Sequence, residues 1–144
     1  MKTMLTPEEL VDKYVGIPYV DNGRDPAVGL DCWGLIISII KDLYGYNGLP
    51  DPKYRKFTLL RRKVDMFKDY DMFYWADTVK GEPVCGDFIL IRVIGIAMHG
   101  GIYVANGEFL HAVAGKGIRL CNMPFWKKQV QGIYRLKDEF KSVV

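Results

Sequence analysis

Cys32 lies in the stretch GLDCWGLIISII, residues 29–40, between Asp31 and Trp33 and ahead of a nearly unbroken apolar run. Asp is a favoured helix cap, so the run reads as a helix from Cys32 to about Tyr44, stopped by Gly45. A thiol at a helix start meets the positive end of the macrodipole and unpaired backbone N–H groups. That setting favours the thiolate and offers donors to an oxyanion, the arrangement of a cysteine nucleophile. The competing reading is a small buried hydrophobe, the commonest fate of a free thiol.

A cysteine nucleophile needs a base, and the chain has two histidines, His99 and His111. Both fall in the segment HGGIYVANGEFLHAVAG, which reads as a hairpin turning at Asn106-Gly107. His99 is the candidate base and His111 the candidate group that fixes its tautomer. Simple pairing around an odd-numbered loop sets His111 opposite Tyr103, roughly 13 Å along the strand from His99. A bulge, a strong twist or a wider loop must close that gap.

Asp31 reads chiefly as the cap, with a second possible use as a carboxylate contacting a substrate amine. Cys32, Cys85, Cys121, His99 and His111 are all zinc-capable types, but C-x-x-C and H-E-x-x-H spacings are both missing, so no metal is expected. Three cysteines without paired spacing do not form a disulfide framework, and the thiols are expected free.

The elements that must position these groups follow from local pattern. TPEELVDKYVG reads as an amphipathic helix with Thr6 as cap, Pro7 at its first position, Glu9 completing a capping box, and Leu10, Val11 and Tyr14 on its apolar face. The Gly/Pro/Asn/Asp-rich segment up to residue 30 reads as an irregular loop lining something. The Cys32 helix is apolar around most of its circumference and so is expected to be central, although its β-branched residues keep a strand reading open. Residues 46–82 are charged and end in an aromatic cluster, and one or two short helices are expected there. DFILIRV, the hairpin and VQGIYRL read as strands. Helices first and strands after predict an α+β fold.

The chain has 144 residues, which fits a single domain over 1–144. A net charge of +3 is too small for a nucleic-acid footprint. The first sixteen residues carry Glu8, Glu9 and Asp12 where a signal peptide needs an apolar core, and no apolar run reaches membrane-spanning length. The expectation is synthesis in the cytoplasm, with any delivery elsewhere by an assembly.

GIPY, GLDCWG, CGD, HGGIYVANGEFLHA and QGIYR occur in an order and spacing that resembles the NlpC/P60 family of papain-like cysteine peptidases, in particular its short stand-alone form encoded with phage tail genes. The resemblance runs from about Leu10 to Leu136. It implies a papain-like α+β fold in which the nucleophile-bearing helix packs on an antiparallel sheet. It further implies Cys32 as nucleophile, His99 as general base and acid, His111 as the orienting third residue, and Tyr19 as a hydroxyl near the oxyanion site. Asp31 and Trp33 become candidate substrate contacts, although Trp33 stands where many members carry serine. Cys85 stands where proline is usual.

The activity so implied is hydrolysis of peptidoglycan stem peptides at the D-γ-glutamyl bond to a diamino acid, without a cofactor. The resemblance also implies a place at a virion tail tip, with tail or baseplate proteins as partners and no nucleic-acid partner. Two alternatives stay open: a structural tail component that keeps the fold with little hydrolysis, and an acyltransferase or amidase on the same scaffold.

Overall fold

A computed structural model describes residues 5–51, 71–93, 96–123, 128 and 130–141; the side chains of residues 92–99 lie outside that description. The chain forms helix α1 (Pro7–Tyr14), a two-stranded ribbon of β1 (Arg24–Asp25) and β2 (Gly29–Leu30), and helix α2 (Cys32–Tyr44). A one-turn helix α3 (Met72–Trp75) leads into β3 (Ala76–Thr78). Strands β4 (Phe88–Val93), β5 (Ile96–Ala105), β6 (Glu108–Val113), β7 (Gly117–Asn122) and β8 (Val130–Leu136) follow. The last six strands form one antiparallel sheet in the order β3-β8-β4-β5-β6-β7, so the fold is α+β as expected.

Local chemistry explains both long helices. In α1 the Thr6 hydroxyl accepts from Glu9 N and the Glu9 carboxylate accepts from Thr6 N, which closes the capping box. In α2 the Asp31 carboxylate accepts from Gly34 N at 2.8 Å, and Gly45 ends the helix at φ 71°, where a Cβ would be strained. The β-branched residues of α2 oppose helix formation, but packing outweighs them. Leu35, Ile36, Ile39, Ile40 and Leu43 are all essentially buried, each contributing about 1.5–3 kcal/mol. Tyr14 joins the helices, its hydroxyl bonding Asp42 and Ser38.

α2 lies across β5 and β6, and the main core forms there around Phe88, Leu90, Ile102, Leu110 and Ile118. A second cluster, Ile89, Ile91, Tyr103 and Phe109, covers the other face, so β4 is apolar on both sides, as its unbroken run requires. Ahead of β4, buried Asp87 accepts two bonds from Arg135, both at 2.8 Å, and one from Val84 N.

Of the short helices expected over 46–82, α3 is described and residues 52–70 lie outside the described part. The aromatic cluster itself divides: Met72 and Trp75 enter the core while Phe73 and Tyr74 stay exposed. Strand β3, which pairs with β8, was not anticipated because a three-residue edge strand carries no periodicity.

Candidate active site

Cys32 is the first residue of α2, and three backbone features converge on it. In the loop after α1, Tyr19 forms an isolated bridge with Leu30, and Leu30 N donates to the Pro18 carbonyl at 3.0 Å. The loop at Gly23 crosses directly over the helix start, so close that a Cβ on Gly34 would run into the Gly23 carbonyl oxygen. From the sheet, Gly100 of β5 brings its backbone to the thiol.

Asp31 is 1% exposed and fully engaged. Besides Gly34 N it accepts from Asn22 N at 3.0 Å and from Arg24 Nη1 at 2.8 Å. Arg24 in turn donates to the Gly23 carbonyl and, through Nε, to Asp51 at 2.9 Å. Trp33 is 3% exposed; its indole N–H donates to the Pro50 carbonyl at 2.8 Å and its ring packs 5.9 Å from that of Trp75. Asp31 and Trp33, the expected substrate contacts, thus lie almost wholly buried at the helix start. Both side chains are withdrawn from solvent and spent on holding the helix start, because the 21–25 loop and residue 50 fold over them.

The thiol's acidity also departs from expectation. Burial and the Asp31 carboxylate push Cys32 up to about 12, against backbone hydrogen bonds from Gly100 and Trp33 and the Arg24 charge, which act downward. The helix-start donors are present, but desolvation outweighs them. The surroundings thus favour the protonated thiol, and a thiolate there would need a base to take the proton.

Strand register fixes where the two histidines lie along the sheet. His99 pairs with Ile91 across β4–β5, one residue before Gly100. Across β5–β6, Ala105 pairs with Glu108 around Asn106-Gly107, but the next pair is Tyr103 with Phe109. Val104 is thus an extra residue, a bulge, and beyond it Gly101 stands opposite His111. A regular two-residue hairpin would pair His111 with Ile102, on the opposite pleat parity from His99. The bulge restores the shared parity and brings His111 within two residues, roughly 7 Å along the strand, of the His99 position. That is half the separation expected from pairing with Tyr103.

His111 is 2% exposed and packs its ring 5.1 Å from that of Phe109. Burial holds its basicity below the usual 6.5. Its Nε2 lies 2.9 Å from Cys121 Sγ, a contact that sequence reading missed. The signal was the β6–β7 register, in which Cys121 pairs with Phe109, two residues from His111. Tyr19 is half-buried; burial first, then the charges of Cys32, Asp21 and Asp31, drive its hydroxyl well above the ordinary range, so it is a neutral donor. Cys85, also pushed up to about 11 by burial and Asp87, sits with its carbonyl near the Tyr44 hydroxyl. Among the described residues no group of three or more His, Cys, Asp or Glu gathers as for a metal, and no helix is long and apolar enough to cross a membrane.

Comparison with known proteins points to one family. Residues 16–135 match the NlpC/P60 family. The chain is 28% identical over 130 residues to the gamma-DL-glutamyl hydrolase of Bacillus subtilis (strain 168), covering 88% of this chain and 28% of that protein. It is 28% identical over 127 residues to the murein DD-endopeptidase MepH of Escherichia coli (strain K12), covering 85% and 42%. The chain thus spans less than half of each of these two relatives. Among solved structures, the NlpC/p60 domain of the peptidoglycan hydrolase SagA superposes with a TM-score of 0.55 at 18% identity, covering 91% of this chain and 99% of that one. NlpC2 from Trichomonas vaginalis gives 0.61 at 21% identity, covering 90% and 46%.

Proposed function

Because this chain belongs to the NlpC/P60 family, we propose that it is a cysteine hydrolase of peptidoglycan stem peptides, cutting the D-γ-glutamyl bond to a diamino acid. The observation that carries the reading is Cys32 at the α2 start beside the β5 backbone at Gly100, the residue next to His99; the bulge that returns His111 to the parity of His99 supports it. The names of the two curated relatives, a glutamyl hydrolase and a murein endopeptidase, support the substrate class.

In the proposed reaction His99 takes the Cys32 proton as sulfur attacks the carbonyl carbon. The oxyanion is met by backbone N–H groups at the α2 start and by the neutral Tyr19 hydroxyl. His99 then gives its proton to the leaving amine, leaving a thioester on Cys32. Water, deprotonated by His99, attacks the thioester and releases the acid and the thiol. His111 holds the His99 ring throughout. The resemblance to the tail-associated form extends the proposal to a virion tail tip, where tail or baseplate proteins would bring the domain to the wall.

One observation favours a second reading, a tail component with little hydrolysis: the Cys32 thiol is pushed upward, away from the thiolate, by desolvation and the Asp31 carboxylate. Digestion of purified peptidoglycan by the wild type and by Cys32→Ala, with mass analysis of released muropeptides, separates the two. Products ending in D-glutamate from the wild type alone support the endopeptidase. A cut at another bond keeps the mechanism and changes the substrate. No cut by a folded wild type, alone or in the assembled particle, favours the structural reading.

A further inference from the structure

We propose that Cys121 is a positioning residue whose sulfur accepts the Nε2–H of His111 and so fixes the tautomer in which His111 can serve His99. This rests on the reading of Cys32, His99 and His111 as the reacting set.

A neutral imidazole has one donor and one acceptor nitrogen. Burial keeps His111 neutral, so its two nitrogens have opposite roles. To orient a general base, His111 must accept the N–H on the far side of the His99 ring, since only then does His99 turn a bare nitrogen toward the Cys32 thiol. One His111 nitrogen, Nε2, is already placed 2.9 Å from Cys121 Sγ. That assigns Nδ1 to His99 as acceptor, and the proton must then sit on Nε2 and point at sulfur.

The reverse arrangement, with the Cys121 thiol donating to a bare Nε2, would put the proton on Nδ1. His99 would then carry its own proton toward Cys32 and could not remove one. Geometry beyond the single contact supports a held ring. Phe109 packs on the imidazole at 5.1 Å, and Cys121 pairs directly with Phe109 across β6–β7, so sulfur, phenyl and imidazole are locked in one register. Cys121 is only partly buried, placed beside the base-orienting group rather than at the thiol that reacts.

The test uses the full chain labelled with ¹⁵N-histidine, reading the His111 ring nitrogens by two-bond ¹H–¹⁵N correlation. The expected wild-type pattern is a single Nε2–H tautomer. Cys121→Ala should give a tautomer mixture and lower kcat by roughly tenfold or more with KM little changed, as a wrong tautomer does. Cys121→Ser, which keeps an acceptor oxygen, should restore the Nε2–H pattern and most of kcat. A wild-type His111 in the Nδ1–H form, or Cys121→Ala with an unchanged tautomer and kcat, overturns the proposal. Failure of the catalytic reading is seen separately: alkylation of Cys32 would then be unaffected by His99→Ala, while the wild-type tautomer still decides for or against the Cys121 contact.

Discussion

His111 stands directly opposite Gly101, two residues along β5 from His99, because Val104 is accommodated as one unpaired residue in the hairpin. The pairing leaves no room at Gly101. A Cβ there would meet the Leu110 carbonyl oxygen at 2.5 Å, the Phe109 ring at 2.9 Å and the His111 Cβ at 3.3 Å. Gly101→Ala should therefore push β5 away from β6, costing about 1–3 kcal/mol in urea unfolding. Peptidoglycan hydrolysis should fall further than the loss of folded protein explains. Full activity in a stable Gly101→Ala protein would show that this pairing is not what sets the histidines.

Arg24 holds the Asp31 carboxylate from a side chain only 17% exposed. Arg24→Met should leave a buried carboxylate with its two backbone donors but without its cation. The loss is expected at about 2–4 kcal/mol, somewhat below that of a wholly stranded charge. Chemical denaturation measures it, and Asp31→Asn, which removes the charge while keeping a capping oxygen, should relieve part of the deficit in the double variant.

Trp33→Phe separates scaffold from substrate contact. Losing the indole donor to the Pro50 carbonyl should cost about 1–2 kcal/mol of stability. KM and the bond cleaved should stay as in the wild type. A large rise in KM at unchanged stability would return Trp33 to the substrate cleft.

The weakened acidity of the Cys32 thiol has a kinetic signature. In His99→Ala, iodoacetamide should alkylate Cys32 slowly, with a rate that climbs about tenfold per pH unit and reaches no plateau in the neutral range, as a buried thiol near 12 requires. The wild type should react faster at neutral pH, with a shoulder that reports His99. Identical profiles for the two proteins would argue against His99 as the base.

His111 predicts acid sensitivity. Burial lowers its affinity for a proton in the folded chain, so the unfolded chain is protonated first, from 6.5 downward. The stability tied to a neutral His111 is present above that value and is lost as pH falls toward the lower folded one, by up to about 1.4 kcal/mol per pH unit. Thermal unfolding between about pH 7.5 and about pH 5.5 should show a smaller drop in His111→Gln than in the wild type.

The features legible in the sequence are those set by neighbours in the chain. Thr6 with Glu9, Asp31 with Gly45, and the alternation around Asn106-Gly107 specify their elements locally, and the structure has them in place. The Val104 bulge was not legible, because whether a hairpin carries an extra residue depends on how Val104 and Ala105 pack beside α1, not on the turn. For the same reason the direction of the Cys32 shift was misread: the helix-start donors are visible in sequence, but the desolvation that outweighs them comes from loops and strands far along the chain. The cover that residues 21–25 and Pro50 give Asp31 and Trp33 was not legible either, because it comes from loops outside the helix.

The ends of the sheet carry a consequence of another kind. Along β7, Gly16 N donates to the Ile118 carbonyl and Ile118 N donates to the Ile17 carbonyl, each near 3 Å. The chain thus satisfies part of its own outer strand with backbone from beside α1. At the other end β3 is three residues long, with Asp77 and Thr78 exposed. At Ile118, and along the short β3, a foreign strand would have to evict native backbone or settle for very few bonds.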